Sequence, residues 1–325
     1  MKVVYVIIGN EDSIYLEQAY ASIWSLKYYN PDMYVTVVMD NKTSDFYNRS
    51  NYSELDDLIN EKIFINFNDS ISNIERSRFL KTTLRKIITG TFLFLDTDTI
   101  VVDSISELQS FKYDIGAVPD FHHDRSIYNY TKDLDKKLRT IFNLKISDYN
   151  LNYYNSGVMF VKDSEIAHEL YDLWHKNWII SKNKNCLYDQ PALITADIQM
   201  GGVIKTLDNI YNYQICNTMK FLLPSKIIHF YNAAEANKKI HPFFNDNWYK
   251  EIKCEGGINK KKKSEILSCK TLFPIDSQLI VGNNLVFWRS ALCTALSSLN
   301  TNGFFFKLLN SIPSIYFKFK RKYKK

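Results

Sequence analysis

The stretch Phe92-Leu93-Phe94-Leu95-Asp96-Thr97-Asp98-Thr99-Ile100-Val101 decides the fold. Its four leading apolar residues read as a buried strand that runs straight into two carboxylates separated by one residue. Such a strand end sets both acids at the carboxyl edge of a sheet, where open α/β folds bind their ligands. A hard divalent cation such as Mn²⁺ or Mg²⁺ takes carboxylate oxygens and keeps positions for phosphate oxygens. The triplet alone is a weak signal. Asp133-Leu134-Asp135 repeats its spacing in a segment that reads as helix with no buried strand ahead of it, and that second triplet is assigned to chance.

Outward from the triplet, β-branched runs alternate with helical patterns. Val3 to Ile8, Tyr34 to Met39 and Lys62 to Asn66 read as strands, and Tyr15 to Tyr28, Ser53 to Asn60 and Glu75 to Ile88 as helices, the last ended by Thr89-Gly90. Downstream, Ile115 to Val118, Val158 to Val161 and Ile227 to Phe230 are short strands, and Ala167 to Ser181 is a helix. This order predicts an α/β fold with a mixed, mainly parallel sheet flanked by helices. Regularity fades after Glu235, so the domain is expected to occupy residues 1–250, with a C-terminal appendage over 251–325. Lys260 to Lys263 reads as a solvated surface loop.

The chain has 325 residues, 46% apolar and 23% charged, which suits a globular core. Its five cysteines (Cys186, Cys216, Cys254, Cys269, Cys293) are scattered and odd in number, so they suggest neither a zinc site nor a disulfide framework, and a reducing cytosolic compartment is expected. The opening run MKVVYVIIGNEDS is cut short by Glu11-Asp12, too early for a signal peptide or a membrane span. The net charge of +6 resides in the tail, on Lys318, Lys320, Arg321, Lys322, Lys324 and Lys325. Residues 304–325, FFFKLLNSIPSIYFKFKRKYKK, join aromatic and aliphatic groups to that basic end. This composition fits an interfacial anchor on an anionic membrane, and a peripheral protein on the inner face of the plasma membrane is expected. The alternative is a final core helix, which Pro313 would interrupt. No nucleic-acid motif accompanies the charge, and no nucleic-acid partner is expected.

Three further segments could carry chemistry. Tyr154 to Ser164 sets Asn155 and Gly157 just before a strand, where an amide can read hydroxyl groups and a glycine permits close approach; it could equally be a turn. Leu187-Tyr188-Asp189-Gln190-Pro191 opens a helix, with Asp189 able to cap it. His229 ends a short apolar strand, where a lone histidine is either structural or a metal ligand. LDTDTIV also matches the motif of haloacid-dehalogenase-type phosphatases, with Asp96 as nucleophile, although those enzymes open with the motif and need a later acid pair that is missing after residue 104.

The ordered set of Arg78, Leu95 to Thr99, Asp120, Tyr154 to Gly157, Asp189-Gln190-Pro191 and His229 resembles glycosyltransferases of the GT-A fold. It is similar to family 8 retaining transferases and to bacterial nucleotide-diphospho-sugar transferases, over roughly residues 1–245. The resemblance implies a metal-dependent hexosyltransferase that moves a hexose from a nucleotide-sugar, a UDP-sugar by analogy, to a glycan or lipid-linked acceptor in cell-surface polysaccharide synthesis. It implies that Asp96, Asp98 and His229 hold Mn²⁺ (or Mg²⁺). Arg78, Asp96, Thr97, Asp120 and Asn155 would contact the donor, and Asp189 and Gln190 would line the reacting face as catalytic groups. The loop from Ile8 to Asp12 would receive the base, with Gly9 or Asn10 standing where an Asp usually meets the nucleotide. Lys238 or Lys239 would reach the diphosphate, although the usual Lys-Pro-Trp is replaced here by Ile240-His241-Pro242-Phe243. A Mg²⁺-dependent phosphatase and a non-catalytic nucleotide-sugar or glycan binder are the alternatives.

Overall fold

The computed structural model describes residues 1–270 apart from 51, 69, 123–127, 146–151, 216–219 and 231–243, and beyond them only 308 and 311. By its internal contacts the chain divides into Met1–Ser277 and Gln278–Lys325, and the elements below belong to the first unit.

In chain order these are β1 (Lys2–Ile7), α1 (Tyr15–Tyr29), β2 (Tyr34–Asp40), α2 (Asn41–Arg49), α3 (Ser53–Leu58), β3 (Glu61–Ile65), α4 (Asn73–Ile87), β4 (Phe92–Leu95) and β5 (Thr99–Val101). There follow β6 (Ile115–Pro119), α5 (Tyr128–Phe142), β7 (Tyr154–Val161), α6 (Glu165–Asn183), α7 (Gln190–Gln199), β8 (Lys205–Thr206), β9 (Tyr213–Gln214), β10 (Ile227–His229), α8 (Asp246–Glu255) and α9 (Lys260–Leu267). The main sheet runs β3-β2-β1-β4-β7-β6-β8, parallel except at β7, which is antiparallel to both β4 and β6. A small sheet, β5-β10-β9, stands beside it.

Helices cover both faces of the main sheet, which is why its central strands are continuously apolar. Along β1, Val3, Tyr5 and Ile7 enter the core built with α1, whereas Val4, Val6 and the following Ile8 enter the core built with α4, α6 and α7. Helix α4 starts at a capping box in which Ser72 and Glu75 satisfy each other's backbone N–H groups. It lays Leu80 and Leu84 on the sheet.

Two local readings change, and one helix was not read at all. Strand β7 begins at Tyr154, so Asn155 and Gly157 lie within it rather than before it. Its polar first residues are buried because they have partners: Tyr154 donates its hydroxyl to Ile204 O at 3.1 Å. Lys260 to Lys263 is not a loop but the first half of α9, capped by Asn259, whose side chain accepts from Lys262 N. Lys262 is buried there and donates to Trp248 O (3.1 Å) and Glu251 Oε2 (2.8 Å), over the Trp248 ring. Helix α2 has no apolar stripe to announce it; Asp40 at the end of β2 caps it by accepting from Thr43 N at 2.8 Å.

Candidate active site and metal centre

The sheet brings its polar residues to one edge. Asp96 follows the last residue of β4, Gly9 follows β1 closely, Asp40 ends β2, and Asp120 follows β6. Because β7 is antiparallel, its first residues, Asn155 to Gly157, reach the same edge. The register is locked there by Asp96 N donating to Gly157 O at 2.7 Å. The small sheet brings His229 to the same place: β5 pairs with β10 through Thr99 and His229.

Asp96, Asp98 and His229 each offer a ligand atom, all within 4.8 Å of one another. A side chain at residue 157 would fill this space, since a Cβ there would lie 2.3 Å from His229 Cε1 and 2.8 Å from Asp96 Oδ2. Glycine at 157 is therefore what lets the imidazole and the carboxylate approach.

The protonation of His229 is set by a chain of unambiguous hydrogen bonds. Gly157 N donates to Asn155 Oδ1 (2.9 Å), and Asn155 Nδ2 donates to Asp120 Oδ1 (2.9 Å), so this amide has one orientation. Asn155 Oδ1 also accepts from Asn212 Nδ2 at 2.9 Å, which turns Asn212 Oδ1 toward His229 Nδ1 at 3.1 Å. Nδ1 must carry a proton, while Nε2 lies 3.1 Å from Asp98 Oδ1, to which it donates when the imidazole is charged; once neutral, Nε2 is the nitrogen with a lone pair to offer a metal ion. An acceptor behind the imidazole is the usual support of a metal-bound histidine. Burial lowers the His229 pKa, but the charge and hydrogen bond of Asp98, aided by Asp96, outweigh it and leave it above 6.5.

Helix α4 delivers two cations to the same place. Arg78 Nε lies 3.2 Å from Asp189 Oδ1, and Lys81, one turn on, donates to Asp96 Oδ1 and Oδ2 at 3.0 and 3.3 Å while lying 3.5 Å from Asp189 Oδ2. Asp189 also accepts from Ser156 Oγ at 2.7 Å. Its side chain makes no cap bond to α7, contrary to the reading of it as a helix cap, because the two cations and the serine engage its oxygens. Burial disfavours the Asp189 carboxylate; the Lys81 and Arg78 charges and the Ser156 hydroxyl more than compensate, and its pKa falls well below 3.8.

No protein-family model and no curated protein matches the sequence. Solved structures do match. The galactosyltransferase LgtC, in complex with donor and acceptor sugar analogs, superposes with a TM-score of 0.54 at 15% identity, over 85% of this chain and 98% of that one. An active-site mutant of LgtC gives 0.52 at 14% identity, over the same shares of the two chains. The bifunctional WbbM glycosyltransferase gives 0.51 at 15%, over 82% of this chain and 51% of that chain. The chain has the GT-A fold.

On this GT-A framework the remaining expected residues fall as follows. Ile8 is buried in the core, and Gly9 spends its N–H and its carbonyl on Thr43 Oγ1 (3.0 and 3.2 Å), which leaves exposed Asn10 as the outward member of the loop. Thr97 donates to Gln18 Oε1 at 3.3 Å. Gln190 Nε2 donates to Tyr154 O at 3.2 Å. Lys238, Lys239 and the tail 304–325 lie outside the described residues, save 308 and 311. Asp133 to Asp135 falls within α5. The three described cysteines, Cys186, Cys254 and Cys269, are free thiols. The phosphatase reading placed the acid strand first, whereas in this GT-A sheet β4 follows β1, β2 and β3.

Sequence reasoning missed Asn212, Ser156 as an Asp189 partner, Lys81, and the buried Asp40–Arg76 ion pair at the end of β2. For Lys81 and Arg76 a signal existed: they frame Arg78 on α4 and interrupt its apolar face, where a charge must have a partner. Asn212 gave none, because it sits in a one-turn helix between short segments.

Proposed function

We propose that the protein is a metal-dependent glycosyltransferase that moves a hexose from a nucleotide-sugar, first among them a UDP-sugar, to a glycan or glycolipid acceptor. What carries the reading is the Asp96–Asp98–His229 cluster at the carboxyl edge of a GT-A sheet, joined by hydrogen bonds through Asn212 and Asn155 to Asp120. LgtC, solved with donor and acceptor sugar analogs, supports the substrate class by likeness.

Two carboxylates and an imidazole Nε2 around a space cleared by Gly157 fit Mn²⁺ or Mg²⁺. Such an ion supplies positive charge to the diphosphate as it leaves. The chain's own residues do the rest. Asp189 stays ionised at neutral pH and offsets positive charge that develops on the sugar ring as the glycosyl–phosphate bond breaks. Gln190, its amide nitrogen tied to Tyr154 O, has its carbonyl oxygen to offer on the same face. Arg78 fixes Asp189 while its outer nitrogens are available to donor hydroxyls, and Asp120 and Asn155 read further hydroxyls from β6 and β7. Retention of configuration, a role in cell-surface polysaccharide synthesis and a peripheral position on the inner membrane belong to the same reading. Among the described residues no helix is long and apolar enough to cross a membrane. The residue 304–325 segment is the proposed contact with anionic lipid, and truncation after Gly303 is expected to abolish sedimentation with anionic liposomes.

The activity test is nucleotide release. Purified protein with a panel of UDP-sugars and Mn²⁺ is expected to release UDP, and Asp96→Ala to lose both release and donor binding. No release from any donor, together with wild-type donor binding by Asp96→Ala, would overturn the proposal.

A further inference from the structure

Lys81 has no part in the steps above, yet it is the most deeply placed cation of the site, 2% exposed on α4 with its ammonium 4.8 Å from the centre of the Phe94 ring. A buried lysine needs carboxylate partners, and Asp189 could serve as its main one. The ammonium instead lies closer to Asp96, donating to both of its oxygens at 3.0 and 3.3 Å, with Asp189 Oδ2 at 3.5 Å. It therefore bridges a proposed metal ligand and the proposed reacting face. Arg78 does not share this position, since its ion pair is to Asp189.

Two cations that share one carboxylate repel each other, and in a buried site that repulsion is only partly screened. A carboxylate engaged through both oxygens also has less to give a divalent ion. We infer that Lys81 is a built-in counter-cation: it positions Asp96 and Asp189 and weakens the affinity of the ligand-free protein for a divalent ion. The ion then binds well only together with a nucleoside diphosphate, whose negative charge offsets the ammonium. This inference rests on the metal-site reading above.

The test is Mn²⁺ titration followed by electron paramagnetic resonance, without donor, on wild type, Lys81→Met and Lys81→Gln, with thermal unfolding as the folding check. Lys81→Gln keeps a hydrogen-bond donor and covers the case in which methionine at this depth prevents folding. Removing the charge is expected to tighten Mn²⁺ binding about tenfold or more. The enhancement of Mn²⁺ binding by added UDP is expected to shrink correspondingly. A merely structural lysine would give the opposite sign, lower stability with weaker metal binding. If wild type binds Mn²⁺ and the folded variants bind it equally or more weakly, the inference fails while the metal reading stands. If neither wild type nor the variants bind Mn²⁺, both fail; binding by the variants alone supports the inference.

Discussion

Asp189 holds a full negative charge in a buried place because three groups surround it, and that arrangement has a pH signature. Its pKa is depressed from 3.8, so its contribution to stability is present above that value and is lost as pH falls through the lower folded value. Asp189→Asn removes the ion pair of Arg78 and leaves Lys81 with Asp96 alone, and is expected to cost about 2–3 kcal/mol at pH 7. The penalty should shrink below pH 3.8, by up to about 1.4 kcal/mol per pH unit, in denaturant titrations at pH 7 and pH 3. An equal penalty at both would contradict the assignment. Gly157→Ala drives a methyl group into His229 and Asp96, and Mn²⁺ binding should weaken by at least about tenfold. Asn212→Ala removes the acceptor behind His229 Nδ1, with a loss of about 10–100-fold in metal affinity. Unchanged Mn²⁺ titrations would remove these residues from the account. The acids and His229 were legible in the sequence because they follow apolar strands. Asn212 was not, since its role depends on a contact with Asn155 57 residues away, and for Lys81 the charge on the apolar face of α4 showed that a partner was needed without showing which.

Among the elements, α4 and the β1–α1 loop do most to shape the site. Helix α4 carries Arg76 to Asp40, Arg78 to Asp189 and Lys81 to Asp96, so its capping box sets where three charges fall. The β1–α1 loop is held from a distance: Lys253 on α8 donates to Glu11 O (2.7 Å) and Ser13 O (2.6 Å) and lies 3.8 Å from buried Glu17. Lys253→Met is expected to speed amide exchange in residues 10–14 by about tenfold and to weaken UDP binding, with exchange in β4 unaffected. Unchanged exchange in the loop would show that α8 does not hold it. The long strands and helices of the α/β pattern were readable because one period runs through each. Helix α2 and the two-residue strands β8 and β9 carry too few apolar positions to show one, and β7 was read short because buried polar residues open it. Lys260 to Lys263 misled for a related reason: a run of like charge gives no hint that one member, Lys262, is turned inward by a capped helix.

On the scale of the whole molecule, the site is an assembly of distant segments at one sheet edge. Asp98 and His229 meet across 131 residues, and Asp120, Asn155 and Asn212 close the path between them. The ordering of these segments could be read in the sequence; their convergence follows from β7 running antiparallel, which no local pattern announced. The central claim is that this convergence holds a divalent ion for a nucleotide diphosphate. Calorimetric titration of UDP into wild type and Asp98→Ala, each with Mn²⁺ and with a chelator, tests it most directly. The account predicts Mn²⁺-dependent UDP binding in wild type that weakens about a hundredfold or more in Asp98→Ala. UDP binding of equal strength with and without Mn²⁺, or unaffected by the substitution, would contradict it.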